Sequence, residues 1–525
     1  MKKLLLMLVA CMATMTAFAG GEDEGWQKSF TPVADKADLA GVHTAVAADG
    51  SVYASSTYDQ AFQFAGKAVT DPEGLLSSCI LKYDAQGNEK WAVSLVGKCK
   101  IYAMTADTDG TLYIAGQSQD EKVVCTGTNG ATKEILNVPA NPWVGDPQLG
   151  YSAFIAKISQ EGVIEALKVF SPLTEETVAT SDYPFYLADD QVPISITPYQ
   201  IKLHGDKLYM SASYKGNLRE GNDMTVWEGA YVTAFDGMLY LDNNSMGLLS
   251  VNKSDLTGTY YTAQIQMANN KESDKQYYPE AINFFFKDND PVVVFIGFGD
   301  LYMHGQTFGR NYSFDVSDDG SGNKAHPIVF ANTNNQYDIC IFNAAKHDRD
   351  AVPYNLLGCD LVGDNLYLAG TFYGNFPLDN TVTKDKNVSF VASIKMSDCS
   401  VNWAKANEVE SVAKCMIVTG EEIHAATADA HYVFRTSDGD LKKAENQGFD
   451  DASCYNDQYV STIFTNENSV VVFSPKLKTS GIDETTALKN GAAKYYNLNG
   501  VELSAPQKGL NIIKTADGVK KVTVK

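Results

Sequence analysis

Residue types that could support catalysis or metal binding are sparse along this chain of 525 residues. Its seven histidines show neither the H-E-x-x-H nor the H-x-H spacing of a zinc site. Three of them, His43, His204 and His424, fall on hairpin phrases that recur along the chain, so a repeat fold could bring them to a common axis. The sequence has no G-x-S-x-G nucleophile motif and no glycine-rich phosphate loop. It therefore assigns no catalytic residue and does not favour an enzyme.

Two acidic stretches have the density of oxygen ligands that calcium loops have. DVSDDGSGN, residues 315–323, offers Asp315, Asp318 and Asp319, and DNDP follows at residues 288–291. Neither stretch has the D-x-[DN]-x-[DN]-G spacing of a strong calcium motif, and acidic residues are common in turns in any case. No cofactor and no metal site is assigned, and calcium is the ion that the sequence leaves open.

Aromatic residues in three long stretches between the recurring phrases are the candidates for ligand contact. They stand beside acids, amides and prolines, in NVPANPWVGDPQLGY, SDYPFYLADD and MTVWEGAYV. Exposed aromatic side chains in loops on a rigid scaffold are a common means of gripping sugars and peptides. The alternative is that they pack their own loops onto the fold. The candidate ligand-binding residues are Trp143, Tyr151, Tyr186 and Trp227.

One phrase, a turn followed by an alternating apolar strand, occurs seven times and predicts the architecture. An apolar strand precedes each copy, and a second strand pair joined by a polar turn follows the better copies. Four antiparallel strands per unit, with helical periodicity nearly absent, predict propeller blades with loop insertions. The copies are DGSVYAS, DGTLYIAG, GDKLYMSA, DPVVVFIG, GDNLYLAG, GEEIHAAT and ENSVVVFS, which begin at residues 49, 109, 205, 290, 363, 420 and 467.

The two ends of the repeat region predict how the ring closes. The last unit shows an opening hairpin but no second half, whereas GWQKSF (residues 25–30) matches the outer-strand phrase KWAVSL (residues 90–95). A strand from the N-terminus that completes the last blade would leave no open edge. We therefore predict an all-β fold, a seven-bladed β-propeller over residues 20–475. Six or eight blades are the alternatives, because the fourth copy is degenerate.

The phrases DGTLYIAG, FYGNF and FVASIKMSDCSVNWA resemble the β-propeller repeats of exported bacterial proteins. Copies one and five match that pattern well, copies two and three moderately, and the other three poorly. That family has no single activity, so the resemblance implies the fold and leaves function to be argued from a site.

The N-terminus carries the features of a secretory signal peptide. Two lysines, a short apolar run and the small residues Ala17 and Ala19 predict residues 1–19 as the signal, with cleavage after Ala19. The alternative is a lipoprotein box, LVAC, in which Cys11 would carry a lipid anchor. No other stretch has the apolar length of a transmembrane helix.

Residues 476–525 are predicted to be a linker and a small β-sandwich-like module, because two hairpin signals, Asn499-Gly500 and Asp517-Gly518, separate short alternating runs. This tail resembles the C-terminal sorting domains of the type IX secretion pathway in Bacteroidetes, through GID, YYNLNG, PQKGLNII and the final KKVTVK. The resemblance implies an export address. Its motif residues are Tyr496, Asn497, Leu498, Asn499, Gly500 and Gly509.

Composition limits the possible partners. The formal net charge is −22, which disfavours nucleic acid and anionic lipid because both require basic patches. Eight cysteines remain after the signal, without C-x-x-C spacing, so one or two disulfides would be compatible with an exported protein.

Taken together, these features predict a secreted or surface-displayed β-propeller that binds an extracellular polymer, either a glycan or a protein. The C-terminal module would contact the secretion machinery. One alternative is a polysaccharide- or peptide-degrading enzyme with carboxylates on the axial face, and another is a structural component of the cell surface.

Overall fold

The structure, a computed structural model, contains two compact units, residues 1–475 and 476–525. It describes residues 25–71, 74–136, 151–172, 185–186, 196–215, 218–220, 223–227, 232–235, 238–240, 244–267, 283–296, 300–305, 309–313, 324–325, 328–342, 346–347, 354–376, 378–456, 459–475, 494–496, 502–503, 509–515 and 518–524.

Seven antiparallel sheets form the first unit, and we number them as blades 1–7 along the chain. From the innermost strand outward, the first four are blade 1, His43–Val46, Val52–Tyr58, Ser77–Tyr83 and Glu89–Val96; blade 2, Cys99–Ala106, Leu112–Ser118, Ser152–Ile158 and Ile164–Pro172; blade 3, Ile196–His204, Lys207–Lys215, Asn244–Asn252 and Tyr260–Met267; and blade 4, Asn283–Lys287, Asp290–Ile296, Ile328–Asn332 and Ile339–Phe342.

The last three blades follow the same order. They are blade 5, Tyr354–Val362, Asn365–Phe376, Asp379–Lys395 and Ser400–Ala406; blade 6, Ala413–Thr419, Glu422–Thr427, His431–Arg435 and Leu441–Glu445; and blade 7, Asp451–Tyr455, Tyr459–Asn466, Ser469–Pro475 and, outermost, Gly25–Phe30. The innermost strands of successive blades contact one another around the whole circle, including those of blades 7 and 1. The chain is therefore a seven-bladed β-propeller, as predicted, and the degenerate fourth copy forms a blade of its own.

The N-terminal strand closes the ring. Trp26 lies opposite Ser474 and Ser29 opposite Val471 in an antiparallel pairing that runs from Gly25–Pro475 to Phe30–Val470. The predicted closure is confirmed. The seventh phrase was misassigned, because ENSVVVFS contributes the third strand of blade 7 and its innermost strand is Asp451–Tyr455.

A tryptophan latch, repeated at three blade junctions, joins the outermost strand of one blade to the next. At the junction of blades 7 and 1, Trp26 Nε1 donates to the carbonyl of Ala85 at 3.1 Å and its ring covers Gly87. A Cβ on Gly87 would lie 2.6 Å from that ring, and its φ of +79° also requires glycine. The same arrangement joins Trp91 to Gln160 O and Gly162, and Trp403 to Thr436 O and Gly439.

The core lies between the blades. Every residue of Val52–Tyr58 and of Leu112–Ser118 is buried, because each of these second strands is covered on both faces by its neighbours. Each facing pair of blades contributes an apolar cluster, and the cluster with the fewest buried members, Cys415, Ala426 and Phe449, belongs to blades 6 and 7.

All long connections emerge on one end of the ring, which we call the insertion face. On the opposite end, the turn face, the connections have seven residues or fewer. Insertions in blades 2, 3 and 4 each fold into a hairpin that pairs with the outermost strand of the preceding blade. These crossover hairpins are Lys122–Thr126 and Thr132–Leu136 on blade 1, Leu218–Glu220 and Asp223–Trp227 on blade 2, and Asp300–Gly305 and Gly309–Ser313 on blade 3.

Smaller elements complete the first unit. They are a 3₁₀ turn, Lys36–Asp38; a hairpin, Phe62–Phe64 and Lys67–Val69; a three-stranded sheet, Phe185–Tyr186, Met238–Tyr240 and Val232–Phe235; and a strand pair, Lys324–Ala325 and Lys346–His347. The described residues of the second unit form one four-stranded antiparallel sheet in the order Glu502–Leu503, Lys494–Tyr496, Gly509–Thr515, Gly518–Val524. A second sheet, which a sandwich would need, is not among them.

Loss of the latch that closes the ring should destabilise the propeller. We expect Trp26→Ala to lower the free energy of unfolding by about 2–3 kcal/mol, below the value for a fully buried tryptophan because Trp26 is half-buried. The exposed neighbour Lys28 provides the control, since Lys28→Ala should change stability by no more than about 0.5 kcal/mol. Urea unfolding of both variants is the measurement, and equal stabilities would contradict a closing role for Trp26.

Candidate functional site

The predicted aromatic residues belong to connections on the insertion face. Tyr151 is half-buried at the start of the third strand of blade 2, where its carbonyl accepts the amide of Ile196 at 3.0 Å. Tyr186 pairs with Tyr240 in the three-stranded sheet, and Trp227 ends a crossover hairpin. Trp143 and the calcium candidates Asp315, Asp318 and Asp319 lie outside the described residues.

The sorting-motif residues are described only in part. Tyr496 is buried in the second unit, and Gly509 begins a strand that pairs with both neighbours. Asn497, Leu498, Asn499 and Gly500 lie outside the described residues.

The three histidines on hairpin phrases do not meet at the axis. His43 Nδ1 lies 3.3 Å from an Asp451 carboxylate oxygen, and the ring of His204 stacks on Phe286 at 4.0 Å. His424 lies on the second strand of blade 6. Across the described part of the chain, no three His, Cys, Asp or Glu side chains are grouped as a metal site requires.

A shallow cleft opens on the insertion face between blades 5 and 6. Small residues, among them Ala413 and Ala425, line the cleft. Phe434 is buried in the cleft wall, and Lys405 is exposed at its outer end. The remaining lining residues are Ala369, Ser389, Phe390, Val391, Asn407, Ala426, Thr427 and Tyr432.

Hydrogen bonds fix the upper wall of this cleft. Asn407 Nδ2 donates to Ser389 Oγ at 2.5 Å, and Ser389 Oγ lies 3.0 Å from Ser411 Oγ. The amide of Ala413 donates to Thr371 Oγ1 across the junction at 2.9 Å. The wall is therefore held in one conformation before any ligand arrives, which lowers the entropic cost of binding.

The connection beside the cleft exposes both apolar and acidic side chains, the latter from Glu408 and Glu410. The exposed fractions are 61% for Val409, 49% for Val412 and 41% for Tyr373, all in or beside the connection from blade 5 to blade 6. The apolar, amide, hydroxyl and ammonium groups that line the cleft suit a ligand that has both apolar and hydrogen-bonding surface. The lining contains no carboxylate, so it does not offer a pair of carboxylates for glycoside hydrolysis.

The mouth of the axial channel on the same face carries mixed charge. Asp451 Oδ2 accepts the amide of Thr44 at 3.0 Å as well as facing His43, and Lys414 Nζ lies 3.5 Å from Asp450 Oδ1. Lys100 lies over the ring of Tyr102 at 4.7 Å, and burial lowers the pKa of its ammonium group. The hydroxyl of the neighbouring Thr44 is hydrogen-bonded to the carbonyl of Tyr53 and to the hydroxyl of Ser461. The His43–Asp451 pair therefore does not activate this hydroxyl as a nucleophile.

Sequence reasoning missed a second histidine on blade 6. His431 Nε2 lies 3.1 Å from His424 Nδ1, and its other nitrogen lies 3.1 Å from Glu445 Oε2. Burial, followed by the nearby His431, lowers the pKa of His424 to about 4, and burial also lowers the pKa of His431. The signal in the sequence was the placement of both histidines on paired strands that flank one short turn.

Cysteines fall into two groups. Cys340 on the outermost strand of blade 4 forms a disulfide with Cys399 in a turn of blade 5. Burial raises the pKa of the Cys79 thiol and of the Cys359 thiol to about 12, so these thiols are inert.

No protein-family model matches the sequence, and no curated protein matches it. Among solved structures, it is similar to the quinohemoprotein alcohol dehydrogenase ADHIIG of Pseudomonas putida HK5, with 10% identity and a TM-score of 0.38 over 88% of this chain and 78% of that one. The propeller of Dos1 gives 8% identity and a TM-score of 0.39 over 86% and 95%. BamB of Moraxella catarrhalis gives 10% and 0.32 over 80% and 98%. Such low TM-scores carry no argument about function, and the fold assignment rests on the seven sheets themselves.

Among the described residues, no helix has the length and apolar character needed to cross a bilayer.

The contact of Asp451 with blade 1 should matter for stability. We expect Asp451→Ala to lower the free energy of unfolding by about 1–2 kcal/mol, because the buried Thr44 loses the charged acceptor of its amide. Glu408→Ala is the matched control, since that carboxylate is 88% exposed and its pairing with Lys384 is worth little. Denaturant titration at neutral pH compares the two variants, and a control as unstable as Asp451→Ala would argue against this role.

Proposed function

We propose that this protein is a binding module that uses its insertion face to hold an extracellular polymer, a glycan or a protein. The observation that carries the proposal is the asymmetry of the ring. All long connections emerge on one face, whereas the connections of the opposite face have seven residues or fewer. Loops on a rigid scaffold are where recognition residues usually lie.

The described residues of the insertion face support binding more than catalysis. The cleft between blades 5 and 6 is lined by apolar side chains and by hydrogen-bonding groups that are held in place. At the axial mouth, the carboxylates of Asp450 and Asp451 are paired with Lys414 and His43. Neither region places a nucleophile beside a base, which is the arrangement that covalent hydrolysis uses.

Aromatic residues of the insertions supply the test. We expect the double substitution Trp143→Ala and Trp227→Ala to weaken binding on glycan and peptide arrays about tenfold or more, because each lost aromatic contact is worth about 0.5–1.5 kcal/mol. The control is Tyr337→Ala, since Tyr337 is 78% exposed on the turn face of blade 4. Thermal unfolding should be the same for all three proteins.

Two results would reject this assignment. Binding that survives the double substitution would exclude these loops as the binding surface. Cleavage of the arrayed polymers would favour the enzyme instead.

We further propose that the protein is exported, through the signal at residues 1–19 and the sorting-type module at residues 476–525. The Cys340–Cys399 disulfide supports this proposal, because such bonds persist in oxidising compartments and are rare in the cytosol.

Mass spectrometry of the exported protein tests the proposed export and the disulfide. We expect a mature N-terminus at Gly20 and a peptide pair linked through Cys340 and Cys399. As an internal control, the buried Cys79 and Cys359 should react with a thiol reagent only after denaturation. A lipid on Cys11, or full reaction of Cys340 and Cys399 in the native protein, would contradict the corresponding part of the proposal.

A further inference from the structure

Four titratable side chains form a chain across the side of blade 6 that packs against the connection to blade 7. The chain runs from Glu422 through His424 and His431 to Glu445. His424 Nε2 lies 3.6 Å from Glu422 Oε2, and the contacts between the two rings and from His431 to Glu445 are both 3.1 Å. The side chains of His431 and Glu445 are 8% and 10% exposed, whereas those of His424 and Glu422 are 23% and 37% exposed. One end of the chain is therefore dry and the other reaches solvent.

The directions of the hydrogen bonds along the four side chains are set by Glu445, at the buried end. The Glu445 carboxylate accepts the proton of His431 Nδ1, so His431 Nε2 accepts the proton of His424 Nδ1. With both rings neutral, His424 Nε2 carries no proton and faces the carboxylate of Glu422. The next proton taken up therefore goes to His424 Nε2, and it places a positive charge at the edge of a dry junction.

Burial opposes that charge more strongly than the surrounding carboxylates favour it. Burial and the adjacent His431 lower the pKa of His424 to about 4, although Glu422 and Glu445 act in the opposite direction. Two lysines on the outermost strand of blade 6 form ion pairs with these carboxylates. Lys442 pairs with Glu422, and Lys443 pairs with Glu445.

The innermost strand of blade 6 also contacts the connection to blade 7, because the Cys415 thiol donates to the carbonyl of Phe449 at 4.0 Å. Two carboxylates come directly after Phe449 in the sequence, and each has a basic partner. Asp450 faces Lys414, and Asp451 faces His43. The largest charge contributions to the pKa values of the two histidines come from blade 6 itself, namely from the neighbouring histidine, the glutamates and the lysines.

His431 also packs against the connection between blades 6 and 7. Its ring packs on Phe449 with 4.9 Å between centroids, and Phe449 is 4% exposed. The connection, residues 446–450, lies so close to blade 6 that a Cβ on Gly448 would overlap the carbonyl of Thr427. It leads directly into Asp450 and Asp451 at the axial mouth on the insertion face. Few other apolar residues hold this junction.

We propose that Glu422, His424, His431 and Glu445 form an acid-operated switch that releases the connection 446–450 on the insertion face. At neutral pH hydrogen bonds join His424, His431 and Glu445, and the ring of Phe449 packs on His431. Uptake of a proton by His424 charges the dry junction, and the connection opens because water solvates the imidazolium better than the junction does. The switch goes beyond the proposed binding function and does not depend on what the face binds.

The direction of the pH dependence follows from linkage. The closed state lowers the pKa of His424 from the ordinary value near 6.5 to about 4, so it binds fewer protons than the opened state between these limits. Stability of the closed connection is therefore fully present above about pH 6.5 and is lost as the pH falls toward 4.

Hydrogen–deuterium exchange of the full chain at pH 7.5, 6 and 5 tests the switch, after correction for the intrinsic pH dependence of exchange. We expect amides of residues 446–451 to exchange about tenfold faster at pH 5 than at pH 7.5 in the wild type. His424→Asn removes the titrating nitrogen but retains a donor to His431, so it should abolish this response. His204→Gln is the matched control and should retain it, because His204 lies on blade 3 with its ring stacked on Phe286 of blade 4.

A second variant keeps the proposal falsifiable if His424→Asn disturbs the local fold. Glu422 and His424 lie on the same strand of blade 6, so the carboxylate favours the imidazolium in both the closed and the opened state. Glu422→Gln lowers the pKa of His424 in both states, so the midpoint of opening should move to lower pH. The switch is disproved by a wild-type connection equally protected at pH 7.5 and 5. It is also disproved by a wild-type response in His424→Asn, or by an unchanged midpoint in Glu422→Gln.

Discussion

The pairing of Gly25–Phe30 with Ser469–Pro475 is the interaction on which the propeller depends. In each of the other six blades, all four blade strands come from one stretch of the chain, and neighbouring sheets then pack face to face. Without the N-terminal strand, blade 7 would keep three strands and the latch onto blade 1 would be lost, because Trp26 lies on that strand. Six junctions could still form, but the seventh would present an open sheet edge, which is a site for aggregation.

The same latch joins other blades, and this repetition explains why the ring can be rigid while its sequence copies diverge. At three junctions a tryptophan hydrogen-bonds a carbonyl and covers a turn glycine of the next blade. The junction of blades 4 and 5 is joined by other bonds. Asn283 Nδ2 donates to Leu356 O between blades 4 and 5, and the Cys340–Cys399 disulfide ties the outside of the same junction. A rigid ring of this kind holds the insertion face in place.

Much of the fold could be predicted from the sequence because its signals are local. Turn pairs followed by alternating apolar strands mark hairpins, and seven copies fix the number of blades. The seventh copy was assigned to the wrong strands because Asp451–Tyr455, the innermost strand of blade 7, is short and carries no recognisable phrase. The site was less predictable. The blade 5–6 cleft exists because small residues from distant strands face each other, and the partner of His424 became visible only when strand register placed His431 beside it.

The crossover hairpins make neighbouring blades interdependent. Because Lys122–Thr126 belongs to a blade 2 insertion but pairs with blade 1, each sheet in this part of the ring is finished by chain synthesised later. Excision or duplication of a single repeat would therefore leave one sheet without its edge and one hairpin without its sheet. Change in the number of blades by simple repeat exchange is thus obstructed between blades 1 and 4, and remains structurally simpler on the side of blades 5 and 6. The blade number in the part of the ring that carries the insertions is therefore constrained by the shared sheets.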